Sequence, residues 1–330
     1  MVRKVKKKES KMRIFLSYVL MVIIAAFAYK SILISGDQHL FEKNSDHKTA
    51  LVASLKTRHD SAVSISGDSL NSPYAILIRL KDNTILMQKN SEEKIYPASL
   101  TKMMTAIVAI ENLPDPQEKI KIPMFQELYR ADATMAGFQP DEQVSAIDLL
   151  YGALLSSGAE CCIGLANQIA GSEQSFVKIM NQKAADLGMN NTHFKNATGL
   201  HDDNHYTTVK DLAILSSYAL QNDTFREIFT SSHHTAQPTN KHPDGITFYS
   251  TMFEKLSNPS ITGGEIIGGK TGYTVEAGLC LASLAKIGNY EYILITAGAK
   301  GNHKSEQYNI TDALEVYNSL GEEITLVSTS

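Results

Sequence analysis

Between residues 74 and 320 the hydrophobic period changes twice, and the order of those changes limits the folds open to the chain. Two β-like runs, 74–79 and 84–88, flank Lys81-Asp82-Asn83 and read as a hairpin. From Ser99 the apolar positions fall at helical spacing. Met103, Met104, Ile107, Val108 and Ile110 define a helix over 99–113 that stops before Pro114. Further helices are expected over 145–155, 161–170, 172–187 and 207–220, the last capped by Thr207 with Asp211 in its first turn. Short β-like runs return at 246–250, 265–270, 278–284 and 290–297, and residues 305–320 close the chain as an amphipathic helix. This order implies an α+β fold. An antiparallel sheet is joined from both chain ends and flanked by terminal helices, with an all-α cluster inserted between.

The N-terminus has a different character. Arg3, Lys4, Lys6, Lys7, Lys8, Lys11 and Arg13 face one acid, Glu9, and the chain is then uncharged over 14–29. A basic flank before an apolar run keeps the N-terminus in the cytoplasm and sends the remainder outward. Residues 14–34 are long enough for a ~30 Å hydrocarbon core, with Lys30 snorkelling. Alternatively, Ala26-Phe27-Ala28 is a signal-peptide cleavage site. Both readings put the body of the chain outside the membrane; a retained single-pass anchor in the cell membrane is the expectation, with secretion after cleavage the alternative. The organisation expected is anchor or signal peptide at 1–35, a polar linker at 36–73, one domain at 74–322 and a tail at 323–330. Lys+Arg 31 against Asp+Glu 35 leaves −4, and no basic stripe follows the first fifteen residues, which argues against nucleic acid as a partner. Three cysteines, two of them adjacent (Cys161, Cys162), cannot build a disulfide scaffold or a Cys-rich zinc module.

Three short motifs carry chemistry. Ser99-Leu100-Thr101-Lys102 is an S-x-x-K, a pattern that also occurs at 45–48, 91–94, 175–178 and 283–286. Only Ser99 follows Tyr96-Pro97-Ala98 and opens a strongly apolar helix, where hydroxyl and amine share a face and the helix dipole favours developing negative charge. Ser157-Gly158 lies at a break between helices, from which a hydroxyl can enter a cleft. Lys270-Thr271-Gly272 ends a strand-like run, and its glycine lets a ligand backbone lie against the strand.

In that order the three motifs match the signature of penicillin-interacting serine enzymes. Residues 97–105, 192–200, 206–213 and 270–281 resemble the low-molecular-mass D-alanyl-D-alanine carboxypeptidases, over about 74 to 320. The resemblance implies the fold of serine β-lactamases and DD-peptidases, and removal of the terminal D-alanine from peptidoglycan stem peptides through an acyl-Ser99 intermediate. It implies Lys102 as base, Ser157 as proton relay, and Lys270, Thr271 and Gly272 as substrate-binding residues. β-Lactams would be covalent inhibitors, and neither cofactor nor metal is implied.

Two departures bear on the site. The place of the family's second-motif Asn is held by Ala159, and no Arg follows Arg226 to bind a substrate carboxylate, which leaves Lys300, His303 or Lys304 for that role. Nothing after Leu320 is long enough for the extra β domain and membrane helix of many relatives, which favours an N-terminal anchor. Rival readings are a class A-like β-lactamase, which lacks a suitable deacylating glutamate here, and a non-catalytic penicillin-binding sensor, suggested by Ala159. A zinc peptidase would rest on the pair His201 and His205, without an H-E-x-x-H. A Cys162–Cys280 bridge is a further pairing that sequence leaves open.

Overall fold

The computed structural model describes residues 55–57 and 65–329. The expected anchor at 1–35 and most of the linker lie outside the described residues.

Seven strands form the main sheet, in the order Lys56–Thr57, Thr84–Lys89, Tyr74–Arg79, Tyr290–Ala299, Gly278–Ile287, Gly264–Thr274 and Ser260–Ile261. All neighbours are antiparallel except the first pair. The hairpin joins the last strand with Ile76 opposite Ile295 and Leu77 opposite Leu294, so both chain ends build one sheet, as the order of periods implies. The central strands are apolar on both sides because both sides are covered. Ile76, Ile78, Ile293 and Ile295 face the helical cluster. Leu77, Tyr292 and Leu294 face the closing helix, Tyr308–Thr329, through Val316, Tyr317 and Leu320. Tyr317 is fully buried, and its hydroxyl donates to the Ser283 carbonyl at 2.7 Å and accepts the Leu294 N–H at 3.1 Å.

Helix Thr101–Asn112 is the axis of the inserted cluster, with every residue from Thr101 to Ala109 buried. Around it stand Ala146–Leu154, Ala159–Ala170, Glu173–Asp186, Val209–Ala219 and Asp223–Thr230. The sequence places several helix starts one or two residues early, for one physical reason. Ser145, Ser172 and Thr208 are extended N-caps whose hydroxyls accept the N–H three residues on, so each hydroxyl stands outside the helix it begins. The cap of the helix expected over 207–220 is therefore Thr208, not Thr207.

Other boundaries differ from expectation. Residues 98–100 form a 3-10 turn before the serine helix. Thr247–Tyr249 does not join the main sheet but pairs with His233–Thr235 in a separate ribbon. The closing helix continues to Thr329, through most of the expected tail. The linker also ends earlier than read. Ile65, Leu70 and Ser72 are buried, and Asp312 on the closing helix accepts the Asn71 N–H, the Asn71 side-chain N–H and the Ser72 N–H at 2.9, 2.9 and 2.8 Å. A polar, glycine-punctuated stretch reads as linker because its order comes from a carboxylate some 240 residues later in the sequence.

Removing the Asp312 carboxylate strands three donors, one of them on fully buried Ser72. Asp312→Ala should cost about 3 kcal/mol. In a domain of this size that lowers Tm by roughly 6–12 °C in thermal unfolding. An unchanged Tm would mean that the clamp contributes nothing.

Candidate active site

The nucleophile candidate sits in a strained turn. Ala98 is left-handed, φ +46°, immediately before Ser99. For a non-glycine residue this costs on the order of 1–2 kcal/mol and persists only where the surroundings enforce it. Gly199 enforces it. With φ +84°, it backs onto the Ala98 carbonyl so closely that a Cβ there would lie 1.9 Å from the oxygen. Lys102, one turn along the buried helix, donates from Nζ to Ser99 Oγ at 3.0 Å and to the Thr198 carbonyl at 2.5 Å.

The second hydroxyl is held in the same way. Ser157 is left-handed, φ +64°, between helices Ala146–Leu154 and Ala159–Ala170. Lys270, fully buried in the strand Gly264–Thr274, donates from Nζ to Ser157 Oγ at 3.0 Å and to the Thr271 carbonyl at 2.8 Å. Thr271 itself pairs hydroxyl to hydroxyl with Thr251 at 2.7 Å. A Cβ at Gly272 would stand 3.2 Å from the Ser99 nitrogen and from the Pro97 oxygen, so glycine sets the close approach of strand and serine turn.

The three motifs thus converge. Ser99, Ser157, Thr271 and Gly272 line one cleft of about 280 Å³. Ser99 and Lys102 also line a wider recess of about 630 Å³ with Ala159, Thr198 and Gly199. Burial pushes the Lys102 ammonium below its ordinary range. Burial also drives Lys270 well below it, and the charge of Lys102 adds to that push. Desolvation comes first for both, because two ammonium groups share one dry site.

Glu160, in the first turn of helix Ala159–Ala170, holds the segment that follows the recess-lining residues 131–134. It is fully buried, and Oε1 accepts the N–H groups of Ala136, Gly137 and Phe138 at 2.7, 2.8 and 3.1 Å. Its pKa is raised by burial, against the pull of those bonds. The adjacent Ala159 presents only a methyl to the recess while its N–H bonds the Thr134 carbonyl at 2.9 Å.

Of the three residues considered for a substrate carboxylate, His303 lines the cleft, with its ring edge-on to Tyr273 at 4.8 Å. Lys300 and Lys304 are not in its lining. Lys255 is, beside Thr251 and Thr134. Those three residues come from irregular segments, and no periodicity or motif marks them in the sequence.

The histidine pair serves two separate purposes. Lys195 N–H donates to His205 Nδ1 at 3.1 Å, so the ring proton sits on Nε2 and faces Thr101 Oγ1 at 2.7 Å. His201 packs edge-on against Tyr96 at 4.7 Å and lines the recess. Among the described residues no group of three or more His, Cys, Asp or Glu could hold a metal. Cys161, Cys162 and Cys280 are free and buried, so the Cys162–Cys280 bridge is not formed.

The family described as D-alanyl-D-alanine carboxypeptidase matches residues 61–301. The D-alanyl-D-alanine carboxypeptidase DacF of Bacillus subtilis is 34% identical over 73% of this chain and 60% of its own length. DacC of Escherichia coli is 31% identical over 72% and 58%. The chain thus spans about three-fifths of these relatives. A D-alanyl-D-alanine endopeptidase of Escherichia coli is 29% identical over 73% of this chain and 76% of its own. Among solved structures, the Streptomyces K15 DD-transpeptidase superposes with a TM-score of 0.68 at 26% identity, covering 77% of this chain and 98% of that one.

The His205 environment has a measurable consequence. Burial pushes its pKa from 6.5 down to about 4. The unfolded chain therefore takes up the proton first. The stability is fully present above pH ~6.5 and is lost as pH falls towards ~4, by roughly 3 kcal/mol. His205→Gln, which keeps a donor near Thr101 Oγ1, should flatten that part of the acid slope. Urea midpoints at pH 5 and pH 7 measure it, and equal slopes in both proteins would refute the assignment.

Proposed function

The chain belongs to the D-alanyl-D-alanine carboxypeptidase family, and on that footing we propose that it is a serine-type carboxypeptidase of peptides ending in D-Ala-D-Ala. The observation that carries this is the paired geometry. Each hydroxyl has a buried lysine amine at 3.0 Å, Ser99 with Lys102 and Ser157 with Lys270, and both hydroxyls line one cleft.

Ser99 Oγ attacks the carbonyl between the two D-alanines and gives its proton to the Lys102 amine. An ordinary lysine is neutral in only about 4 of 10,000 molecules at pH 7. Burial raises that fraction, which is what a general base needs. The developing oxyanion faces backbone N–H groups, one of them that of Ser99; loss of one such donor typically costs ~100- to 1,000-fold. The departing D-alanine amine takes that proton from Lys102 through the Ser157 hydroxyl, which Lys270 holds in place, so Lys102 is neutral again. Water then attacks the acyl-serine, the neutral Lys102 amine takes a proton from it and passes that proton to Ser99 Oγ as the acyl C–O bond breaks. A β-lactam opens on the same serine and remains there as an adduct. The substrate's terminal carboxylate lies towards Lys255, His303 and Thr271.

The substrate is a cell-wall peptide, and the basic flank and apolar run of residues 3–34 fit a domain tethered on the outer face of the membrane. A second reading, endopeptidase action on cross-linked peptides, follows from the likeness to the Escherichia coli endopeptidase.

Wild-type protein should bind fluorescent penicillin covalently and release D-alanine from a D-Ala-D-Ala peptide, and Ser99→Ala should do neither. Labelling of the variant at the native rate would sink the assignment. Lys255→Ala and His303→Ala should each raise KM for the free acid about tenfold while leaving the C-terminal amide unchanged, as expected when a charged hydrogen bond is lost. Equal wild-type rates on acid and amide would point to the endopeptidase instead.

A further inference from the structure

Lys102 faces a constraint that its own helix does not resolve. As an amine, Nζ carries two N–H bonds and a single lone pair, and it can take the Ser99 proton only when that lone pair points at Oγ. Rotation about Cε–Nζ moves the lone pair away unless one N–H is held. Among the described residues the one acceptor besides Ser99 is the Thr198 carbonyl, at 2.5 Å. That carbonyl belongs to no helix or strand, so something else must fix it.

Within the loop 196–200 one side chain bridges the residues on either side of that carbonyl. Asn196 Oδ1 accepts the Gly199 N–H at 2.7 Å, and the Thr198 N–H and hydroxyl at 3.2 Å each. Its Nδ2 donates to the Leu200 carbonyl at 2.8 Å. The flank is secured separately: Ala197 donates to Glu173 at 2.8 Å and accepts from the Thr105 hydroxyl at 2.7 Å. Gly199, backed against Ala98, closes the loop onto the serine turn. Asn196 therefore spans the peptide that carries the Thr198 carbonyl, while its own side chain does not line the cleft or the recess.

We propose that Asn196 is a positioning residue for the base: by bridging Thr198, Gly199 and Leu200 it holds the Thr198 carbonyl against the Lys102 amine, and that carbonyl turns the lone pair onto Ser99. The inference rests on the serine-peptidase reading and adds to it a residue that does not touch substrate.

The sign of its pH effect follows from hydrogen bonding. A carbonyl accepts more strongly from an ammonium than from an amine, so its loss favours the neutral form of Lys102. The other titratable groups around Lys102 are Lys270 from the Lys-Thr-Gly strand, Glu160, Cys161 and Cys162 from helix Ala159–Ala170, and His205 beyond Thr101. None of them is altered by a change at position 196.

The experiment measures penicillin acylation against pH, together with KM for a D-Ala-D-Ala peptide, in wild type, Asn196→Ala and Asn196→Asp. Asn196→Ala should acylate about 10- to 100-fold more slowly, with KM within about threefold and the acid limb moved down by roughly half a pH unit. Asn196→Asp retains the acceptors, so its rate should stay within about threefold of wild type. Its carboxylate should move the acid limb upward. If Asn196→Ala does not fold, Asn196→Asp carries the test through that upward shift. An Asn196→Ala protein matching wild type in rate and acid limb would overturn the inference alone. So would two variants slowed equally with an unmoved limb, or an Asn196→Asp limb that stays in place. A wild-type protein that takes up no penicillin would instead overturn the serine-peptidase reading beneath it.

Discussion

Two lysine amines buried in one site are the constraint on which the rest of this structure depends. Lys102 and Lys270 are 3% and 0% exposed. An unpaired buried ammonium is costly, and among the described residues no carboxylate is hydrogen-bonded to either one. Their partners are neutral oxygens: the hydroxyls of Ser99 and Ser157, and the carbonyls of Thr198 and Thr271. A carboxylate in salt bridge would stabilise the charged form and remove a base from use. Neutral acceptors satisfy the hydrogen-bonding demand and leave the amine able to shed its proton. The site gives up ion pairing in order to keep its lysines reactive.

Such a site needs walls that do not yield to water, and the fold supplies them from distant parts of the chain. The Lys270 strand lies next to the edge of the sheet, held at Lys270 by Ala282 of the neighbouring long strand, and the N-terminal hairpin extends the same sheet beyond the strand Tyr290–Ala299. Thr101–Asn112 is buried on every side for most of its length, which fixes the direction of Lys102. The strained residues, Ala98 and Ser157, stand next to or at the reacting hydroxyls. Their strain is tolerated because close-packed neighbours, Gly199 against Ala98 and Gly158 against Ala136, leave the backbone no alternative path.

Much of this was legible in the sequence, and what was not has a common physical origin. Ser99, Lys102, Ser157 and Lys270 sit in short motifs whose spacing is local, and the hairpin, the serine helix and the last three strands of the domain follow from period alone. Residues whose role depends on a partner far along the chain left no periodic trace. Nothing in the local sequence marks Glu160, because its three N–H partners lie more than twenty residues upstream. Residues 65–73 looked like linker because their order comes from Asp312. Thr247–Tyr249 had the right composition for a strand, but composition does not say which edge a strand joins. Asn196 sits within a stretch used for recognition, yet its function appears only when the carbonyl two residues on is seen against Lys102.

Ala159 can be interpreted in the same terms. An Asn there would offer one acceptor and two donors in the recess, and alanine offers none. The second motif is nevertheless held rigidly, because Ala159 uses its backbone N–H on Thr134 and Glu160 grips the amides of Ala136, Gly137 and Phe138. Reactivity and recognition are thereby separated. Ser157 keeps its lysine, and the wall keeps its shape. What alanine removes is side-chain contact with a bound peptide, about 0.5–1.5 kcal/mol for each hydrogen bond not made. On the proposed peptidase reading, a peptide in this cleft is oriented by main-chain contacts along Gly272 and by its charged end near Lys255 and His303. Selection accordingly shifts from the middle of the substrate towards its terminus.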